Sequence, residues 1–187
     1  MKRMTAVVLA IIAAIILQGS DMMVLAQETH APTTTNADRG YLSCVEQERA
    51  NDTYISAEYV AYIEEIAEKY NICPEFIMAM IEKESSGNPN AVNKAGTCHG
   101  LMQINPKWHW DRMERLGVTD LYDPYSNILV GTDYVRELFD RYECPAMVLM
   151  KYNGTKNATE RWENGNYTNY ALGIMERSEQ LERLHGK

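Results

Sequence analysis

From Ser56 onward, apolar residues recur along the chain at intervals of three and four. Tyr59, Val60, Ile63, Ile66, Ala67 and Tyr70 would lie on one side of a helix, with Ser56 as its N-cap. A second helix is predicted from Pro74 through Phe76, Ile77, Met80 and Ile81 to about Ser85, stopped by Gly87 and Pro89. Asn88 to Asn105 is loop-rich, with Gly96 and Gly100. Trp108 to Leu116 reads as a short helix ended by Gly117. Pro124 precedes a stronger one over Asn127 to Tyr142, where Ile128, Val130, Tyr134, Val135, Leu138 and Phe139 share a side. Pro145 opens another that closes at Asn153-Gly154, and Asn169 to Leu184 carries a last helical period through Leu172, Ile174, Met175, Ser178 and Leu181. No internal repeat and no sustained strand alternation is present. The pattern predicts one mainly α domain.

The first residues follow a different rule. Lys2 and Arg3 precede an unbroken apolar run from Val7 to Leu17, about half of the roughly 20 residues that span a bilayer. Gln18 to Asp21 is polar, and Val24-Leu25-Ala26 offers small residues for cleavage. Residues 1–26 therefore read as a signal peptide cut after Ala26; the alternative is an uncleaved anchor. Residues 27–40 are polar and aperiodic, a linker, and residues 41–55 have no clear period. The chain divides into a signal peptide (1–26), a linker and N-terminal extension (27–55) and a helical domain (56–187).

Composition narrows the function. A formal charge of −8 argues against a nucleic-acid partner, which calls for a basic patch. The 12 tyrosines against 2 phenylalanines suit the wall of a polar-ligand groove, and equally suit half-buried helices. Cys44, Cys73, Cys98 and Cys144 are even in number, which in an exported chain allows two disulfides in three connectivities. No Cys-x-x-Cys spacing or Cys/His cluster suggests a metal.

Glu84 is the residue whose position asks for chemistry. On a helix it falls on the face of Ile77, Met80 and Ile81, so an apolar stripe ends in a carboxyl group. Glu82 points nearly the opposite way and reads as a solvated charge. Burial and the negative end of the helix dipole both favour the protonated form of Glu84. A carboxylic acid held protonated near neutral pH can protonate a glycosidic oxygen. A glutamate satisfied by a buried hydrogen bond or ion pair is the structural alternative.

The surrounding motifs resemble the soluble lytic transglycosylases of the lysozyme superfamily. Glu84-Ser85, Gly100-Leu101-Met102-Gln103, Tyr152-Asn153 and Tyr170 occur in that family's order, and Asp123-Pro124 with Asn127-Ile128 and Gly131 resembles its linking segment. The resemblance implies a lysozyme-like domain with a short loop or hairpin region after the catalytic helix. It implies cleavage of the β-1,4 bond between N-acetylmuramic acid and N-acetylglucosamine in peptidoglycan, closing a 1,6-anhydro ring on the muramic residue. Glu84 would be the single acid/base, and Ser85 would orient backbone or substrate. Met102 and Gln103 would line the groove, with the Gln103 amide open to the sugar. Tyr152 and Asn153 would face Glu84 or the acetamide, and Tyr170 would complete the wall. Met102 could instead be core filler, and Tyr152 part of a helical stripe. The sequence departs from the family at Thr97-Cys98-His99, where a disulfide at Cys98 or a substrate contact from His99 could arise, and at Gly154-Thr155. No cofactor or metal is implied. The partners expected are glycan strands of the wall, with a secretion or conjugation machine as a further possibility, and the protein acts as an exported monomer.

Two other functions compete. A lysozyme-like muramidase of the inverting kind needs a second carboxylate roughly 6.5–9.5 Å from the acid, for which Asp111, Asp123 and Asp133 are candidates. A glycan-binding factor without catalysis would need none of these groups in working order.

Overall fold

A computed structural model describes residues 52–187, and the expected signal peptide, linker and Cys44 lie outside them. Seven helices occur among the described residues: α1 (Ala57–Tyr70), α2 (Pro74–Ser85), α3 (Pro106–Leu116), α4 (Pro124–Tyr142), α5 (Pro145–Tyr152), α6 (Ala158–Glu163) and α7 (Asn169–Leu184). Four of them begin on proline, whose fixed φ and missing N–H suit the first helical position. Asn105, Asp123 and Thr168 cap α3, α4 and α7 through their side chains. Ser56 occupies the N-cap of α1 as expected, but its side chain makes no capping hydrogen bond.

Helix α2 lies at the centre. Every residue from Glu75 to Ile81 is buried, which a helix reaches only when neighbours cover all its sides. Helix α7 packs most extensively against it and α1 also covers it, while α4 packs on α1 and α5. The core is aliphatic and methionine-rich, including Ile63, Ile77, Met78, Met80, Ile81, Leu101, Met102, Ile128, Leu149 and Met150. The segment between α2 and α3 is a loop tied by two antiparallel bridges, Val92 with His99 and His99 with Ile104.

Several expectations change. Helix α3 starts at Pro106 and α4 at Pro124, because the prolines open these helices rather than preceding them. Helix α6 has only Ala158 buried, so no apolar period announced it. Glu82 is not a solvated charge. Its carboxylate accepts from Arg177 Nε at 2.6 Å and Nη2 at 2.9 Å, because α7 reaches this side of α2 as well. The two expected disulfides find no pair among the described cysteines: Cys73, Cys98 and Cys144 are free. The Cys73 thiol donates to Glu75 Oε2 at 3.0 Å, and Cys144 Sγ accepts from Trp162 Nε1 at 3.3 Å.

The far end of α2 is secured by a buried carboxylate. Glu75 is fully buried and accepts from Lys187 Nζ, from the Cys73 thiol and from His185 Nδ1. Burial alone would raise its pKa. The donors outweigh that and bring it down to about 2.

Candidate active site

Glu84 sits in the last turn of α2, half-buried, where Ser86 turns left-handed at φ 53° and ends the helix. Tyr170, in the first turn of α7, donates its hydroxyl to Glu84 Oε1 at 2.5 Å. Burial is the largest influence on the Glu84 carboxyl and raises its pKa. The Tyr170 hydrogen bond and the charge of Lys83 pull the other way without cancelling it. Tyr170 feels the same carboxylate, and burial with that negative charge pushes its phenol far above the usual tyrosine range. Ser85 turns its hydroxyl back to Ile81 O at 3.1 Å, so it serves the backbone of its own helix.

The Gly100–Gln103 segment is built around one buried amide. Asn127 Nδ2 donates to His99 O and to Leu121 O, each at 2.9 Å, and its Oδ1 accepts from Met102 N at 2.8 Å. All of its hydrogen-bonding directions toward the loop are therefore engaged, as a fully buried amide requires. Gly100 adopts φ +75°, and a Cβ there would come within 2.3 Å of Asn127 Nδ2. Gly131, one turn along α4, leaves room for the Met102 side chain, whose Sδ would lie 2.3 Å from an added Cβ.

These contacts redistribute the expected roles. The side chain of Met102 is fully buried against α4 and does not line a groove, because Gly131 opens a slot for it. Its carbonyl, however, accepts the Tyr152 hydroxyl at 2.8 Å. Of the two partners expected for Tyr152, Glu84 or the substrate acetamide, the first is taken by the Tyr170 hydroxyl. Gln103 sits at the cleft wall at φ 48°, but its amide nitrogen is not open to a ligand: it donates to Ala91 O at 3.1 Å and Gly100 O at 3.0 Å. Asn153 caps α5 and stands exposed at the cleft edge. His99 is held by Tyr122, its Nδ1 2.9 Å from the phenol oxygen.

A cleft of about 470 Å³ opens beside this cluster, lined by Gln103, Asn105, Trp108, His109, Tyr134 and Tyr152 among others. Tyr152 joins the two regions. It forms cleft wall and carries a phenol pushed well above its normal range, first by burial and then by the Glu84 charge. Below the cleft, Tyr134 stacks near Tyr152 with centroids 5.2 Å apart, and His109 meets Tyr134 edge-on at 4.5 Å. Burial, with help from the Arg112 charge, brings His109 down to about 4 and keeps it neutral. A second, more apolar cavity of about 350 Å³ lies at the start of α2, the opposite end of the helix from Glu84. Phe76, Phe139, Pro145 and Met175 line it together with Arg136, Glu179 and Glu182.

The candidate second carboxylates have other duties. Asp133 is buried and accepts from Arg112 at 3.0 Å, Arg115 at 2.7 Å and the Tyr70 hydroxyl at 3.1 Å. Asp123 caps α4 by accepting from Ser126 N at 2.9 Å. Asp111 is exposed on α3. Sequence reading missed Asn127 as a loop anchor and Trp108, His109 and Tyr134 as cleft residues. The Asn127–Gly131 spacing of one helical turn was the available signal for the anchor; for the cleft the tyrosine excess was the general one, and it singled out no position.

Comparison with known proteins places this arrangement. The sequence profile of the transglycosylase SLT domain matches residues 61–172. The chain is 38% identical over 89 residues to a transglycosylase of Enterobacteria phage PRD1, covering 48% of this chain and 32% of the phage protein. It is 31% identical over 110 residues to a putative soluble lytic murein transglycosylase of Haemophilus influenzae, covering 56% and 18% respectively. Its fold resembles the lytic transglycosylase Slt of Pseudomonas aeruginosa, solved as an inactive glutamate-to-glutamine mutant. The TM-score is 0.57, with 16% identity over 66% of this chain and 24% of that one. The chain spans no more than about a third of these relatives' own lengths. The matched segment runs from within α1 to the start of α7 and takes in Glu84, the Gly100–Gln103 loop, Tyr152-Asn153 and Tyr170, so the chain belongs to the transglycosylase SLT domain family.

Proposed function

We propose that this protein is a peptidoglycan lytic transglycosylase, exported to the cell wall, with Glu84 as its only acid/base. The observation that carries the reading is the half-buried Glu84 carboxyl, raised in pKa by burial and held by Tyr170 at 2.5 Å. Protonated Glu84 gives its proton to the oxygen joining muramic acid C1 to N-acetylglucosamine. The C1–O bond breaks and the glucosamine leaves with a hydroxyl. The carboxylate then takes the proton of the muramic C6 hydroxyl as that oxygen bonds to C1, and the acid is regenerated. No water is consumed and no second carboxylate is needed, in keeping with the engagement of Asp123 and Asp133 elsewhere.

The other residues support that centre. Tyr170 fixes the carboxyl rotamer and steadies the anion between the two proton transfers. Tyr152 closes the wall, Asn153 presents its amide at the rim, and Ser85, Met102 and Gln103 hold backbone in place. Lys2, Arg3 and the Val7–Leu17 run support export, and wall remodelling or passage-making for a secretion or conjugation machine is the cellular use that fits.

Digestion of purified sacculi with the full chain, read by mass spectrometry, tests the reaction. The expected products end in 1,6-anhydromuramic acid. New reducing ends in their place would identify a muramidase and overturn the lyase reading. Glu84→Gln is expected to reduce cleavage by about 10³-fold, within the range of lost acid/base catalysis. Undiminished clearing by that variant would remove the enzyme assignment for this residue.

A further inference from the structure

We infer that Trp108 is a remote sugar platform, a substrate-binding residue that grips the glycan strand several groups away from the bond at Glu84. The inference rests on the glycan-cleaving reading and deepens it.

Trp108 is 74% exposed although it lines the cleft. An indole left this far in water forgoes the burial that aromatic side chains normally provide. Disorder does not account for it, because the turn that carries Trp108 is fixed on both sides. Asn105 caps α3 by accepting from Lys107 N at 3.0 Å, and Pro106 sets the first helical φ. Lys107 Nζ stands 5.4 Å from the Trp108 ring centroid, a cation–π contact that restrains the indole. The next residue, His109, leaves helical geometry at φ −119°, ψ 17° and turns inward against Tyr134. The kink therefore sends two adjacent aromatic rings to different tasks, His109 to the cleft floor and Trp108 to its lip.

The occupant follows from continuity and chemistry. The same cleft contains Tyr152, whose phenol feels the Glu84 charge, so a strand lying over Glu84 and running on along the cleft reaches Trp108. Pyranose rings present apolar C–H faces between polar edges. An exposed indole bordered by the amides of Asn105 and Asn153 matches both features. Trp110 is 62% exposed on the same helix but does not line the cleft. It is the internal control.

The test uses the full chain with Trp108→Ala, Trp108→Phe and Trp110→Ala, each checked for unchanged melting temperature. Binding of the trimer and hexamer of β-1,4-linked N-acetylglucosamine is measured by calorimetry, and cleavage of glycan strands by steady-state kinetics. Trp108→Ala is expected to bind the hexamer about tenfold more weakly, equivalent to ~1.4 kcal/mol, while trimer binding holds. KM on long strands should rise by a similar factor with kcat within about twofold. Trp108→Phe should recover most of the loss, and Trp110→Ala should match the native protein. Native-like hexamer binding by Trp108→Ala, or an equal loss in Trp110→Ala, overturns the platform while leaving the cleavage reading intact. A native protein that neither binds nor cleaves glycan removes both.

Discussion

Glu84 and Tyr170 form a pair whose electrostatics make opposite demands. Burial favours the neutral carboxyl, and the phenol hydrogen bond favours the anion; burial prevails. Tyr170→Phe removes the opposing influence, so the Glu84 pKa should climb further and the pH–rate profile should shift to higher pH. Carboxyl NMR of Glu84 in the two proteins would measure it, and an unmoved or lowered value would contradict the balance described. Linkage adds a second expectation. A carboxyl whose pKa is raised on folding costs stability as pH rises from the unfolded value toward the folded one. Glu84→Gln has no such cost, so its melting temperature should gain on the native protein as pH increases across that window. At this scale, the sequence disclosed Glu84 because the helical stripe of Ile77, Met80 and Ile81 leads to it. It did not disclose which tyrosine meets the carboxyl. Tyr152 and Tyr170 are equally plausible in one dimension, and only the packing of α7 on α2, across 86 residues of chain, decides.

Helices α2 and α5 were legible with their proline starts and α4 from its apolar period, whereas α3 was placed from Trp108 and not from Pro106. Helix α6 was not legible, because six residues with one buried position carry no period. The loop between α2 and α3 owes its shape to Asn127 and Gly131 of α4 as well as to its own bridges, which is why its side chains changed roles. Asn127→Ala would strand the Leu121 carbonyl and the Met102 N–H at a buried site and leave His99 O with Ile104 N alone. It should cost roughly 2–4 kcal/mol in urea unfolding and lower activity with it. A loss below half a kcal/mol would mean that the loop is held by something else. Glu75 acts at the other end of α2. Its pKa of about 2 means that the clamp stabilises fully above the unfolded carboxyl value and weakens as pH falls toward 2. Glu75→Gln should therefore cost on the order of 2 kcal/mol at pH 7 and much less near pH 2, and equal losses at both would exclude the linkage.

Across the domain, stability should be graded from α2 outward. Helices α2 and α5 are buried almost throughout, whereas α6 and the first turn of α3 face water. Native-state hydrogen exchange should find α2 and α5 opening at close to the global free energy and α6 far below it. Comparable protection of α6 and α2 would refute that order. The mainly helical class and the order of the motifs were readable from the chain; the central position of α2 was not, since Glu82 read as a solvated face. The ion pair of Glu82 with Arg177 and the free state of Cys73, Cys98 and Cys144 were not, because each depends on which surface α7 or a neighbouring side chain covers.

The thiol of Cys73 carries one more consequence. It donates to the Glu75 carboxylate and is pushed up to about 11, by burial first and then by that bond. At neutral pH only about one molecule in ten thousand would then hold the thiolate that alkylating reagents and disulfide exchange require. Although its residue is exposed, this cysteine should react with iodoacetamide far more slowly than a free thiol, and much faster once Glu75→Gln removes its charged partner. The buried clamp that fastens the chain's last residues thus also acts as a redox shield at the head of the glutamate helix.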